Sequence, residues 1–213
     1  METIMALLPS MMAGLKTTLV LSVITLALSL PLSVIVALLK MSKIKPVKII
    51  TSAYIYVMRG TPLLLQLMFV FFGLPYMNIV LERETAAALA FVLNYTAYFA
   101  EIVRGGLQGI DKGQYEAAKI LGMSKKNTFF KIILPQVIKS ILPAMGNETI
   151  TLIKDTSLVY ILGLGDLLRS GKIAANTLSS MVPFVMVGLI YLSVIAILSK
   201  TFALLEKHFA YYE

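Results

Sequence analysis

The chain has no cysteine, one histidine and only eleven acidic residues among 213. Without thiols it can form no disulfide, no thiolate metal site and no cysteine nucleophile. His208 stands alone near the C-terminus, and Asp and Glu are spread too thinly to give a set of metal ligands. No Ser/His/Asp set is available either, so no catalytic residues are expected. Charge is scarce as well, at 14% of residues, against about 25% in soluble domains. Hydrophobic residues fill the difference, at 58%, with a mean hydropathy of +0.86.

Those apolar residues come in runs such as "LVLSVITLALSLPLSVIVALL" (19–39) and "PLLLQLMFVFFGLPYMNIVL" (62–81). Each reaches the roughly 20 residues that cross a bilayer as a helix. The expected architecture is an all-α integral membrane protein, one transmembrane domain over 1–213, with five spans at about 15–39, 60–80, 85–105, 137–160 and 181–204. The N-terminus lacks a charged n-region and a small-residue cleavage site, so the first span is expected to be retained.

The net charge of +8 would suit nucleic acid, but in a membrane protein basic residues collect on the cytoplasmic side. Lys40, Lys43, Lys45, Lys48 and Arg59 lie between the first two spans. Arg104, Lys112, Lys119, Lys125, Lys126, Lys131 and Lys139 lie between or at the edges of the third and fourth, and Lys200 and Lys207 near the C-terminus. The opposite loops hold Arg83, Arg169 and Lys172. This bias predicts an outside N-terminus, a cytoplasmic C-terminus and no nucleic acid partner. Pro31, Pro62, Gly73, Pro75, Pro143 and Gly146 fall inside spans. They imply kinked or broken helices, tolerated in lipid where protein or a cavity satisfies the freed backbone groups.

The segment 108–135 is polar and, on the charge bias, cytoplasmic. Gln114 to Leu121 favour helix, and Gly122 supplies a left-handed stop. Ser124 suits the N-cap of a second helix over 125–134, which Pro135 closes or kinks. Ala117 and Ala118 give the first helix a low profile for an approaching surface. Glu116 and Lys119 share a face and can pair with each other or with a partner's charges. Ile120, Leu121 and Met123 leave apolar groups at the tip, a shape that suits docking in a groove. An amphipathic loop with its lysines on anionic lipid is the other reading of the same residues.

Glu116-Ala117-Ala118, three residues, Gly122, nine residues, Ile132, one residue, Leu134-Pro135 resembles the EAA motif of ABC-importer permease subunits. "RGTPLLLQL" (59–67), "AEIVRGGLQGIDKGQYEAAKILG" (100–122), "LPAMGNETITLIKDTSL" (142–158) and "SKIKP" (42–46) narrow the likeness to the polar amino acid permeases of the histidine/glutamine/arginine type. The resemblance runs from about residue 14 to 205. It implies the five-helix fold of the type I importers, like the methionine importer, in a prokaryotic cytoplasmic (inner) membrane. It also implies two permease chains, a homodimer or sibling pair, an extracytoplasmic amino acid-binding protein, and ATPase subunits that bind ATP and Mg. The EAA elbow is then the coupling helix: Glu116, Ala117, Ala118 and Gly122 come from the motif. Tyr115, Lys119, Leu121, Met123 and Lys125 join them by their place near the tip.

No cofactor is expected in the chain itself. A P-loop needs G-x-x-x-x-G-K-[ST]. "GDLLRSGKI" (165–173) has one residue too many between its glycines and Ile173 in place of the hydroxyl. Ionisable residues inside spans suggest a pathway. On the third span Asn94, Tyr98 and Glu101 lie on one helical face. On the fourth, Asn147, Thr151 and Asp155 do so, with Glu148 and Lys154 beside them. Lys154 suits an amino acid's carboxylate, and Glu101, Glu148 or Asp155 its ammonium; the acidic excess favours a cationic substrate. As structural glue, Glu101 would instead pair with Arg104. Tyr95 and Tyr98 stand where a small residue is more usual in the family and narrow or shape the cavity. Two other classes stay open: a stand-alone ion-coupled carrier or channel using the buried Glu/Asp/Lys set, and a scaffold whose elbow anchors a soluble partner. If the elbow couples to an ATPase, Glu116→Lys and Gly122→Asp will each abolish uptake while the protein stays in the membrane. Uptake by both variants in whole cells would remove the coupling assignment.

Overall fold

Lipid gives a helix no hydrophobic reason to leave it, so transmembrane helices associate where small residues let their backbones close up. The sequence supplies such a seam on the first helix, α1 (Glu2–Lys40). Thr18, Ser22, Thr25, Ser29 and Ser33 recur at helical spacing, and all five are buried. Thr18 at the start of the seam accepts from the Leu167 amide at 3.4 Å, and α1 packs along α4 (Arg83–Gln108), whose Ala86, Ala87, Ala90, Ala97 and Ala100 are buried in turn. This is the most extensive helix contact in the chain, and it makes α4 the central helix. The computed structural model describes the backbone of residues 2–209 and side chains from Leu7 onward. The ends of the expected 1–213 domain, residue 1 and residues 210–213, lie outside the described residues.

Four helical runs are long and apolar enough to cross a membrane: Leu7–Lys40, Arg83–Gly109, Lys125–Leu162 and Val182–Phe209. A bent pair of helices makes a fifth apolar element. After α2 (Lys45–Gly60), the span expected at 60–80 is α3 (Leu63–Met68), extended by a π turn at Phe69–Gly73 and a 3-10 turn at Leu74–Met77. The irregular turns at Gly73 and Pro75 and the break at Pro62 are those the sequence implies. The two halves meet at 105°. Residues 45–59, read from the sequence as a basic loop, are therefore helical. Pro46 sits in the first turn, where its missing N–H costs nothing. Pro62 causes the break, because it cannot donate to the carbonyl four residues back, that of Met58.

The elbow is α5 (Lys112–Ile120) followed by α6 (Lys125–Thr128). Pro135 does not end the second helix. A π turn at Phe129–Ile133 absorbs the disruption, and the chain runs on into α7 (Leu134–Asp155) with Pro135 in its first turn. A 3-10 segment, Thr156–Leu162, carries α7 to Gly163, which closes it at φ 79°. After it come α8 (Leu167–Leu178), a short helix between the expected fourth and fifth spans, and α9 (Val182–Phe209). Gly146 packs against Phe202, so α7 and α9 touch closely.

Asp166 is the N-cap of α8, accepting from the amides of Leu168 at 2.9 Å and Arg169 at 3.3 Å. Its carbonyl lies against Gly14 of α1, where a Cβ would come within 2.7 Å of it. Burial pushes the Asp166 carboxyl up from 3.8 to about 6, against the opposing pull of those two amides and Arg169. The folded chain thus holds this proton more tightly than the unfolded chain does. The resulting stabilisation is complete below the unfolded value and lost as pH rises through the folded one. Thermal unfolding in detergent should show stability falling from about pH 4 to about pH 6. Asp166→Asn, which keeps a capping oxygen, should flatten that slope; an unchanged slope would show that another group carries it.

Candidate functional site

The residues expected to line a pathway separate into three groups. The first is structural. The Met58 carbonyl freed by Pro62 accepts from Gln66 Nε2 at 2.9 Å and from Asn94 Nδ2 at 3.0 Å. Asn94 also donates to Gln66 Oε1 at 3.0 Å, and Gln66 to Thr61 Oγ1 at 2.8 Å. Tyr54 donates to the Leu93 carbonyl at 2.6 Å. Buried Asn94 therefore holds the broken α2–α3 junction against α4. Gln66, which sequence reasoning passed over, is its partner. The signal was present: a glutamine inside an apolar run, four residues after the proline that orphans a carbonyl.

The second group gathers on Glu101, near the elbow end of α4. Its carboxylate takes a forked contact from Arg104, Nη2 at 2.7 Å and Nε at 3.1 Å, pairs with Lys40 at the end of α1, and has Arg59 Nη1 at 3.8 Å. Arg59 also lies over the Tyr98 ring, 5.1 Å from its centroid. One carboxylate thus gathers cations from α1, α2 and α4, and the pairing with Arg104 that the spacing allowed is present. Since Glu101 is shared among three cations, Glu101→Gln should cost about 1–3 kcal/mol of stability. Combined with Lys40→Met, the two losses should fall short of additivity. Fully additive unfolding shifts in a double-mutant cycle would show that the contacts carry no energy.

The third group belongs to α7. Tyr95, buried on α4, donates to Asp155 Oδ2 at 2.8 Å. Half-buried Glu148 lies within electrostatic reach of Asp155 and Arg59. Thr151 spends its hydroxyl on the Asn147 carbonyl at 3.0 Å. Asn147 and Lys154, seven residues apart and so on one face, are exposed, and Asp155 is half-buried beside them. The structure joins Tyr95, Glu148 and Asp155. It leaves Asn147 and Lys154 exposed, Lys154 within electrostatic reach of Asp155, and Asn94 and Glu101 engaged elsewhere.

At the elbow, Asp111 caps α5, accepting from the Gly113 amide at 2.6 Å, and Ser124 caps α6, accepting from Asn127. Gly122 at φ 70° closes α5 with paired bonds, Met123 N to Ala118 O and Gly122 N to Lys119 O, both 3.0 Å. This is the Schellman arrangement that a left-handed C′ glycine allows. Ala118 is buried inside the elbow, so of the two alanines only Ala117 presents a low surface. Glu116 and Lys119 are exposed and form no ion pair with each other. Ile120 and Leu121 are 86% and 77% exposed. Tyr115, Lys119, Met123 and Lys125 line a cleft of about 640 Å³ with Ser124, Thr128 and Phe129. Gln136 ties the elbow to α7, donating to Gln114 Oε1 at 3.4 Å and to the Ile132 carbonyl.

Comparison with known proteins places this arrangement. Residues 29–211 match the family described as binding-protein-dependent transport system inner membrane component. The arginine transport system permease protein ArtQ of Bacillus subtilis is 40% identical over 193 residues, covering 90% of this chain and 88% of the relative. A crystal structure of an amino acid ABC transporter with histidines superposes with a TM-score of 0.89 at 38% identity, over 96% of each chain. The inward-facing MetNI methionine ABC transporter shares the fold, with a TM-score of 0.70 at 18% identity over 95% of each chain. The chain is a member of the binding-protein-dependent transport system inner membrane component family, the permeases of ABC importers.

Proposed function

We propose that the chain is the transmembrane subunit of an ATP-driven importer that moves a polar amino acid by alternating access. The observation that carries this reading is the outward face of α7. Asn147 and Lys154 are polar, sit in a membrane-spanning helix and are exposed on the isolated chain. Charged and amide groups facing hydrocarbon are costly, so that face belongs against a wet interior shared with a second permease chain, identical or sibling. Asn147, Thr151, Lys154 and Asp155 line this pathway, with Glu148 behind them. Lys154 receives the substrate's carboxylate, and Asp155 or Glu148 its ammonium. Asn94, Tyr98 and Glu101 serve it from behind by fixing α2 and α4. With Glu101 already shared among Lys40, Arg59 and Arg104, the acidic excess that favoured a cationic substrate shrinks to Glu148 and Asp155. The reading therefore rests on the zwitterion and not on the side chain.

The elbow is the coupling surface. Two large apolar side chains, Ile120 and Leu121, stand almost fully exposed in a polar segment, which suits a socket on a separate ATPase subunit. That partner holds ATP and Mg; this chain supplies the fitted shape of Tyr115, Glu116, Ala117, Lys119, Leu121, Met123 and Lys125 around the Ala118–Gly122 turn. The elbow faces the cytoplasm, with the N-terminus outside and the C-terminus inside.

Co-purification and reconstitution test the reading together. The importer requires an ATPase in stoichiometric amount and uptake into vesicles that depends on ATP, with Lys154→Met raising the half-saturating substrate concentration or abolishing transport. Uptake driven by an ion gradient without the ATPase would replace this reading with the stand-alone carrier, and no uptake at all would leave a scaffold.

A further inference from the structure

The basic residues at the end of the bundle away from the elbow converge on one turn. Arg83 opens α4, and Arg169 and Lys172 lie three apart on α8. All three meet the segment Tyr160–Gly163. Lys172 Nζ lies over the Tyr160 ring, 5.1 Å from its centroid. A Cβ added to Gly163 would stand 2.9 Å from Arg169 Nη1 and 3.4 Å from Arg83 Nη1. Two guanidinium groups thus approach a single point, and the glycine at φ 79° leaves that point clear. No carboxylate forms an ion pair with either arginine among the described residues. Asp166 lies within electrostatic reach of Arg169, but its oxygens cap the backbone of Leu168 and Arg169. Arg169 Nη1 is buried and donates to nothing.

A buried guanidinium N–H without a protein acceptor is uncommon and suits an acceptor supplied from outside the chain. Two neighbouring guanidiniums repel, and a carboxylate between them relieves both, since the planar fork matches carboxylate oxygens. We propose that Arg83 and Arg169 form a clamp for one carboxylate side chain of the binding protein that delivers substrate, with Lys172 adding to the field. The binding protein is the favoured source because the clamp lies at the bundle's outer end on the importer reading, and Arg83 is exposed toward whatever docks there. The inference rests on that reading.

The test uses the complete importer, permease with its ATPase in lipid nanodiscs, titrated with its amino acid-loaded binding protein. Arg83 is exposed, so Arg83→Gln keeps the fold, which the size-exclusion profile of the assembled complex verifies. The half-saturating concentration of binding protein should rise roughly tenfold or more, and its dependence on salt should flatten. Arg169→Lys, which keeps the charge but loses the fork, should also weaken binding, by less. Unchanged half-saturation in both variants would overturn the clamp. So would a change confined to the half-saturating concentration of free amino acid, which would assign the two arginines to the substrate's own carboxylate. If the unaltered importer shows no response to any binding protein, the importer reading falls and the clamp with it, and that failure is visible before any substitution is made.

Discussion

Closeness of approach holds this bundle together. Lipid is as apolar as leucine, so exchanging lipid for a neighbouring side chain gains little, and helices stay associated where backbones can come near enough for dense contact. The contact of α1, with its buried Ser22, Thr25, Ser29 and Ser33, with α4 and its buried alanines provides that nearness. Gly14 extends it to α8, with Asp166 and Ser170 so near that a Cβ would collide. Once α1, α4 and α8 are fixed, α7 packs on α4, and α9 closes over α7 and α8. The positions of the polar groups follow from this frame.

The same solvent sets the rule for those polar groups. A backbone carbonyl freed in the hydrocarbon must find a donor inside the protein. Pro62 frees one, and Gln66 and Asn94 both reach it. Glu101 gathers three cations for a comparable reason: a carboxylate near the membrane is tolerable only in company. Against this background the exposed Asn147 and Lys154 are exceptions. Asn94, Gln66, Glu101 and Tyr95 are engaged within the chain, whereas these two are exposed on its surface. Groups that a membrane protein leaves unsatisfied on its own face are those it satisfies with something else, water, substrate or a second chain.

Much of this was legible in the residues. Apolar run length gives the helical class and four of the spans, and the spacing Glu116–Gly122–Pro135 identifies the elbow and its glycine stop. Ser124 as a cap follows from its chemistry and place. The losses have physical causes. Residues 45–59 look like a loop because Lys45, Pro46 and Lys48 open them, yet a first-turn proline suits a helix and the apolar side of α2 is long enough to pack. Pro135 suits either the close of a helix or a kink in it, and a π turn before it lets the helix run on. Asn94 and Glu101 share a face with Tyr98 and so resemble a pathway. Only the neighbouring helices reveal that Met58, Gln66 and Lys40 already occupy them.

On the proposed importer reading, transmission between the elbow and the polar face of α7 would have a simple mechanical basis. From Lys125 to Leu162 the chain is one helical run of 38 residues, on the order of 50 Å long at about 1.5 Å per residue. It begins beside the cleft at Lys125 and Phe129, passes Glu148, Thr151 and Asp155, and ends at the Gly163 turn against Arg83 and Arg169. A push on the elbow need not travel through a relay of side chains, because the rod that carries the elbow also carries the polar face. The π turn at Phe129–Ile133 is the one place near the elbow where the rod's hydrogen-bond ladder is already rearranged, so bending would concentrate there. Gln136 crosses back to Gln114 just beyond it and limits how far α5 can swing before α7 must follow. Under that proposal the coupling would be a property of helix continuity, with the Tyr95–Asp155 hydrogen bond as one of the contacts through which α7 meets the α1–α4 frame.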